Sequence, residues 1–362
     1  MYFTNIQATQ FRNLSSESIP VGKRQVLLIG ENGQGKTNFL EAIYALCYGS
    51  SFRTPNMNDM IQHEKEGFRL CGTFVDNDKM EHTVSLLFKE SKRTITLDGK
   101  IITDRKDLIY IMPCIVFSHE DIWFVNGEPE QRRKFFDQTM SLYDPLFFDD
   151  LRKYKHVLRQ RNQAVKDRRE DLLSIYDLQL AHYGISIQQE RTKVVYDFNR
   201  IFPSLYEKVS ETNSNISIVY RPSWRSCATD KEVVDALRST RDRDFALETT
   251  SSGIHRDRFI VMAGTKQFSE IGSTGQLRLA SLLFRVAQMR FFTMKTGKQP
   301  VILVDDVLLE LDHEKRNRFL EMIDGYDQVF FTFLPEEQYF SVIPSKESII
   351  YTVKEGRFGN YG

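Results

Sequence analysis

One octapeptide constrains this chain more than any other segment: Gly30-Glu31-Asn32-Gly33-Gln34-Gly35-Lys36-Thr37. It fits the pattern G-x-x-x-x-G-K-[ST], and its flanks are the ones the pattern needs. The apolar run Val26-Leu27-Leu28-Ile29 enters it as a strand, and Asn38-Phe39-Leu40-Glu41-Ala42-Ile43 leaves it as a helix. Glycines let backbone N–H groups curl around phosphate oxygens without Cβ clashes, and the helix N-terminus adds a favourable dipole. The cradle for ATP is expected to run from Gly30 to Asn38. Lys36 would reach the β- and γ-phosphates, and the Thr37 hydroxyl would ligate Mg²⁺.

Such a loop needs a distant acidic partner for the metal. Val301-Ile302-Leu303-Val304-Asp305-Asp306 supplies one: four apolar residues, as in a strand buried on both faces, then two carboxylates at its end. Asp305 is expected to hold Mg²⁺ and Asp306 to orient or activate the attacking water. Two aspartates ending a strand are by themselves most often a solvated turn. The company of the P-loop turns the reading toward chemistry.

A third element, Ser273-Thr274-Gly275-Gln276, opens a long helical run from Leu279 to about Met294. A Ser–Gly turn at a helix start leaves N–H groups and a hydroxyl free for an anion. Alone it would be a helix cap. A Ser-x-Gly-Gln helix followed by an apolar strand with two acids, however, resembles the order found in ABC-type ATPases. The resemblance implies that Ser273, Gly275 and Gln276 meet the γ-phosphate held by the P-loop of a second subunit. It also places Leu308-Leu309-Glu310-Leu311-Asp312 in a loop at the dimer interface, with Asp312 near the nucleotide.

The chain has 362 residues, enough for a large head with an insertion or for two domains. With 49 Lys+Arg against 49 Asp+Glu the net charge is zero, so bulk charge does not hold this protein to nucleic acid; any basic patch is local. Cys47, Cys71, Cys114 and Cys227 have neither zinc-ligand nor redox spacing and read as reduced thiols of a cytoplasmic protein. No stretch reaches the roughly 18 apolar residues that span a bilayer, and the first residues do not read as a signal peptide.

Residues 1 to about 125 read as short strands with one helix after the P-loop. Strand candidates are Val26–Ile29, Phe68–Val75, Thr83–Phe88 and Thr94–Leu97, with Asp98-Gly99 as a turn. Helical period begins at Glu128 and runs to about Phe202, punctuated by Asp144-Pro145. Pro203 interrupts the pattern and the strand Ile216–Tyr220 follows. Strand and helix alternate again from about Thr249. The expected fold class is therefore α/β: an ABC-type P-loop ATPase head built from 1–125 and 245–362, with a helical arm domain, 126–244, inserted between its halves.

Over nearly the whole chain the sequence resembles the RecF family. Phe11-Arg12-Asn13, the run Gly30 to Tyr44, and Ser51-Phe52-Arg53-Thr54 are similar to its early segments. Arg132-Arg133, Phe135, Asp137 and Gln160-Arg161-Asn162 are similar to its helical arm, and Tyr220-Arg221-Pro222-Ser223 to its return strand. Gly253 with His255-Arg256-Asp257 resembles its Gly-Pro-His-Arg-Asp-Asp segment, and Asp305-Asp306-Val307 with Glu310-Leu311-Asp312 its acidic strand and interface loop. His119, Ile254, Arg258, Leu277 and Leu309 depart from the family pattern; Arg258 stands where the family has a second Asp. The resemblance implies an SMC-like head without a long coiled coil. It implies an ATP-dependent homodimer that clamps duplex, gapped or junction DNA. It further implies cooperation with RecR and RecO in placing RecA on gapped DNA during repair, replication and the SOS response, with weak, DNA-stimulated ATP hydrolysis as the reset.

Between Leu151 and Leu172 stand eight basic residues (152, 153, 155, 159, 161, 166, 168, 169) against three acids (167, 170, 171). Such a helix either lies on phosphates or is a solvated face of i,i+4 ion pairs. Arg159, Arg161 and Lys166 are the candidate DNA contacts. Two other readings are another SMC-like ATP-switched DNA-maintenance protein and a P-loop kinase. The kinase leaves Ser273-x-Gly275-Gln276 unexplained and lacks a lid or acceptor motif. A GTPase would need an Asn-Lys-x-Asp motif, which is absent.

Overall fold

The computed structural model describes residues 1–212, 215–336 and 345–360. Its contacts divide it into two compact units, Met1–His119 with Phe292–Gly362, and Glu120–Phe291.

The first unit has two six-stranded sheets. One is antiparallel, with Ser18–Pro20, Tyr2–Thr9, Gly67–Val75, Glu81–Lys89, Lys92–Leu97 and Lys100–Ile101 in spatial order. The other runs Arg357–Asn360, Ser348–Lys354, Gln25–Ile29, Gln328–Phe333, Val301–Val304, Cys114–Phe117. It is parallel except at its Arg357–Asn360 edge. Gln25–Ile29, Val301–Val304 and Gln328–Phe333 are buried almost throughout, as parallel strands covered on both faces must be.

The helix Lys36–Tyr48 touches strands of both sheets. Its sequence explains why: Phe39, Leu40, Ala42, Ile43, Ala45, Leu46 and Cys47 are apolar and buried around nearly its whole circumference. Gly49, at φ 62°, ends it in the left-handed conformation glycine tolerates best. A second helix, Arg105–Ile111, follows the antiparallel sheet; the expectation of one helix in this region omitted it.

In the second unit Asp144 caps Pro145–Lys166 by accepting from the Leu146 and Phe147 amides. This helix packs along Glu170–Phe198 as a hairpin. Gly184 leaves room for its neighbours, since a Cβ there would lie 3.1 Å from the Tyr154 ring of the facing helix and 2.6 Å from the Trp224 ring. Pro203 starts a helix, Phe202–Ser210, at a position where its missing N–H costs nothing. Ile216–Arg221, Arg258–Ala263 and Lys266–Gln267 form a small antiparallel sheet.

Contacts thus group 245–291 with the helical hairpin, a cut that differs from the expected 245–362 half of the head. The register of Arg258–Ala263 with Ile216–Arg221 is the reason: it joins residues on both sides of the expected boundary. The boundary between the units falls inside the helix Thr274–Thr296.

Candidate nucleotide site

The P-loop follows the strand Gln25–Ile29 and ends at the N-terminus of Lys36–Tyr48. Gly33 and Gly35 have φ of 79° and 115°, which side chains other than glycine rarely adopt. A Cβ on Gly35 would also approach the Asn13 and Leu14 side chains to 3.0 and 3.1 Å. The loop is braced from outside: Asn13 Nδ2 donates to the Gly33 carbonyl, the Glu355 amide to Gln34 Oε1, and the Gly356 amide to the Gln34 carbonyl. Asn38 Nδ2 donates to Asn13 Oδ1, and Arg53 donates to Asn38 Oδ1 at 2.8 Å.

Lys36 is 3% exposed. Its ammonium donates to the Gly30 and Glu31 carbonyls at 2.6 and 3.2 Å and lies 3.9 Å from the Asp306 carboxylate. Thr37 Oγ1 donates to Asp305 Oδ1 at 2.8 Å, bringing together two groups separated by 268 residues. Thr332, on the neighbouring strand, donates to Asp306 Oδ1 at 2.8 Å, and its hydroxyl oxygen accepts the Asp306 amide at 2.8 Å. Asp306 takes a φ of 50°, which turns the chain away at the strand end.

Burial pushes the Asp305 carboxyl up to about 6; the Thr37 hydrogen bond opposes this and the Asp306 charge adds to it. Among the described residues no cation lies within ion-pair distance of Asp305. A hydroxyl beside a buried, unneutralised carboxylate at the mouth of a P-loop is a donor set that suits Mg²⁺.

Beneath the loop, Glu41 is fully buried on the P-loop helix. Arg12 grips it with two hydrogen bonds of 2.9 Å, Ser51 donates to it at 2.5 Å, and Arg53 lies 3.5 Å away. Sequence reading missed Thr332, met Glu41 only as part of the helix that leaves the P-loop, and met Arg12, Asn13 and Arg53 only as points of resemblance. An ion pair between positions 12 and 41 leaves no local signature.

Ser273, Gly275 and Gln276 belong to the second unit, and all three are exposed. The Ser273 amide donates to Gln276 Oε1 at 2.9 Å and the Gln276 amide to Ser273 Oγ at 3.3 Å, a reciprocal cap for the helix Thr274–Thr296. Asp312 caps His313–Met322 through the Lys315 amide, and its carboxyl is held below the usual range by the Lys315 ammonium and amide.

The arm requires a correction. Arg161, expected to contact DNA, is fully buried. It donates to Asp177 at 2.8 Å, Asp244 at 2.7 Å and Thr250 at 2.9 Å, so it is an internal ion-pair hub. Nine residues beyond Arg152, it lies half a turn away from the exposed basic stripe of its helix. Arg159 and Lys166 are exposed on that stripe. A second hub joins Arg191 to Asp137, Asp257 and the Ile254 carbonyl, with Tyr220 and Ser223 donating to Asp257. His255 is half-buried and held between Tyr154 Oη and the Thr250 carbonyl, each 3.0 Å away. Trp123 is 42% exposed, while Phe124 packs on Phe135 and lies under Arg285.

A P-loop, an acidic strand end and a capped Ser-x-Gly-Gln helix on this sheet framework define a P-loop ATPase of the ABC class with an SMC-like head. The model of the RecF/RecN/SMC N-terminal domain matches residues 2–356, and within that group the chain belongs to the RecF family. It is 40% identical to the DNA replication and repair protein RecF of Treponema pallidum, over 96% of this chain and 98% of the relative. It is 32% identical to RecF of Clostridium botulinum strain Okra, over 99% of each. A solved structure of the recombination mediator protein RecF with ATP, in the RecFOR pathway, shares 26% identity and a TM-score of 0.90, covering 100% of this chain and 98% of that one. An SMC head bound to the winged-helix domain of ScpA shares the fold, with a TM-score of 0.58 at 16% identity over 100% of this chain and 97% of that one.

Proposed function

We propose that this protein is an ATP-switched DNA-binding ATPase of replication and recombinational repair. The observation that carries the reading is the meeting of Thr37 and Asp305 at 2.8 Å beside the buried ammonium of Lys36.

Lys36 exchanges its two carbonyl partners for phosphate oxygens, and the loop amides from Gly30 to Asn38 surround the remaining oxygens. Thr37 and Asp305 would hold Mg²⁺, which would supply charge neutralisation for the phosphates. Asp306, steadied by Thr332, orients the attacking water. Ser273, Gly275 and Gln276 of one subunit close on the γ-phosphate held by the other, and Asp312 stands in the loop near that junction. In this division the ATPase head is 1–125 with 245–362 and the arm is 126–244.

ATP thereby converts monomers into a dimer that clamps duplex or gapped DNA, and weak, DNA-stimulated hydrolysis releases it. RecR and RecO are its partners by the pathway in which the ATP-bound relative stands. Arg152, Lys155, Arg159 and Lys166 are exposed and recur three, four and seven residues apart, a stripe able to follow a phosphate backbone. No described helix is long and apolar enough to cross a membrane; cytoplasmic residence fits the DNA substrate.

Light scattering with and without ATP·Mg²⁺ and a DNA duplex, combined with phosphate-release assays, tests this reading. The expected result is a mass doubling that needs ATP and DNA binding that needs the doubling. Transfer of phosphate to a small acceptor would replace the reading with a kinase.

A further inference from the structure

The small sheet of the second unit carries a like-charge pair that no described acidic residue relieves. Arg258 and Arg221 are directly opposite each other in the antiparallel register. Opposed residues of such a pair point to the same face, within reach of each other's side chains. Both are exposed, and among the described residues neither forms an ion pair.

Their neighbours on the other face are committed. Phe259 and Tyr220 stack at 4.9 Å, and the Tyr220 hydroxyl donates to the Asp257 carboxylate. Asp257 spends its oxygens on Arg191, Tyr220 and the Ser223 amide, so it does not neutralise Arg258 beside it in sequence. A third guanidinium stands close. Arg132 donates to the Phe259 carbonyl at 3.1 Å, one residue from Arg258. Burial pushes Arg132 below its usual range; Glu128 opposes this, and the charge of Arg258 adds to it. Like charges facing each other across strands destabilise a sheet, so the pair is a local conflict within the folded chain.

We propose that Arg221 and Arg258, with Arg132 behind them, form a phosphate-binding site for the backbone of duplex DNA. Two forked guanidiniums on rigid strands match the oxygens of a phosphodiester, and an anion between them turns the repulsion into two charge-assisted contacts. The site rests on the DNA reading above and adds to it a second contact, separate from the arm stripe. An acidic segment of a protein partner is the competing occupant. Phosphate is favoured by charge complementarity: two exposed guanidiniums side by side, with no carboxylate paired to them among the described residues, match the evenly charged oxygens of a nucleic-acid backbone.

The test uses the full chain with ATP·Mg²⁺ and a fluorescent DNA duplex, comparing the parent with Arg258→Asp. This change puts an opposite charge against Arg221, so it should raise the melting temperature of the free protein while weakening duplex binding. The slope of log affinity against log salt should flatten by about two, one for each guanidinium lost to phosphate. Arg221→Gln should flatten it by about one. A parent that binds no duplex would refute the DNA reading itself. A parent that binds duplex with ATP, beside an Arg258→Asp variant with the same affinity and salt slope, would overturn this site alone and point to an acidic protein. Inorganic phosphate separates the ligand sources: a phosphate-induced melting shift lost in the variant without loss of duplex affinity would also overturn the DNA assignment.

Discussion

Lys36 keeps its ammonium on two carbonyls and within 3.9 Å of Asp306, which aims its charge at the mouth of the P-loop. Lys36→Ala should leave the fold intact and weaken ATP binding by about 10- to 100-fold, the worth of a hydrogen bond to a charged group; nucleotide titration calorimetry reads it directly. Asp306 makes a different prediction. Asp306→Asn keeps the size and the acceptor that Thr332 requires but removes the base. ATP should still bind, phosphate release should fall by about a hundredfold or more, and the ATP-bound dimer should accumulate on a sizing column. Normal phosphate release would remove Asp306 from catalysis. The P-loop and Asp305-Asp306 could be read in the sequence because their spacing is local and their flanks are explicit. Thr332, Glu41 and the Arg12 clamp could not, because each earns its place through a partner far along the chain.

Among the elements, the helical character of the arm was legible in its period and in the Asp144-Pro145 start, which the Asp144 cap explains; the turn between Lys166 and Glu170 that folds it into a hairpin was not. Which charges face inward was not. A count of basic residues over 151–172 contains no phase, and Arg161 sits opposite the stripe it was counted with. Removing it strands Asp177 and Asp244 in the interior, although Arg241 still holds Asp177. Arg161→Ala should therefore cost about 3–5 kcal/mol of stability, whereas Arg159→Ala should cost almost nothing; urea unfolding of the two variants separates a hub from a surface. The loop between the hubs adds a pH response. Burial lowers the His255 imidazole to about 4, with a bond to the Thr250 carbonyl opposing and the charges of Arg256, Arg133 and Arg161 adding. The folded protein thus refuses a proton that the unfolded chain accepts near 6.5. Stability is unaffected above pH 7 and falls as pH drops from 6.5 toward 4. Through this group alone the protein should be about 2 kcal/mol less stable at pH 5 than at pH 7. His255→Gln should flatten that slope; an unchanged slope would assign it to other groups.

At the scale of the molecule, the sequence carried the order of its parts better than their limits. Contact density follows strand pairing, and Arg258–Ala263 pairs across the expected edge of the arm. Catalytic division follows which residues meet a nucleotide, and that is tested by Ser273. This residue lies outside the unit that contains Lys36, yet it opens a 23-residue helix with an exposed hydroxyl and exposed Gly275 and Gln276 beside it. If two subunits join about a two-fold axis, the signature of each faces the P-loop of the other and the interface holds two nucleotides. Ser273→Arg should then leave ATP binding by the monomer nearly unchanged, since its own P-loop is untouched. A bulky cation in the γ-phosphate seat should block ATP-induced dimerisation, and hydrolysis and DNA binding should fall with it. Mixing Ser273→Arg with Lys36→Ala gives a stricter measurement. Their heterodimer pairs the intact P-loop of the first with the intact signature of the second, so one complete site out of two is rebuilt. Phosphate release from the mixture should exceed that of either variant alone. If Ser273→Arg dimerises with ATP like the parent, or the mixture gains nothing, the shared site is wrong and the clamp falls with it.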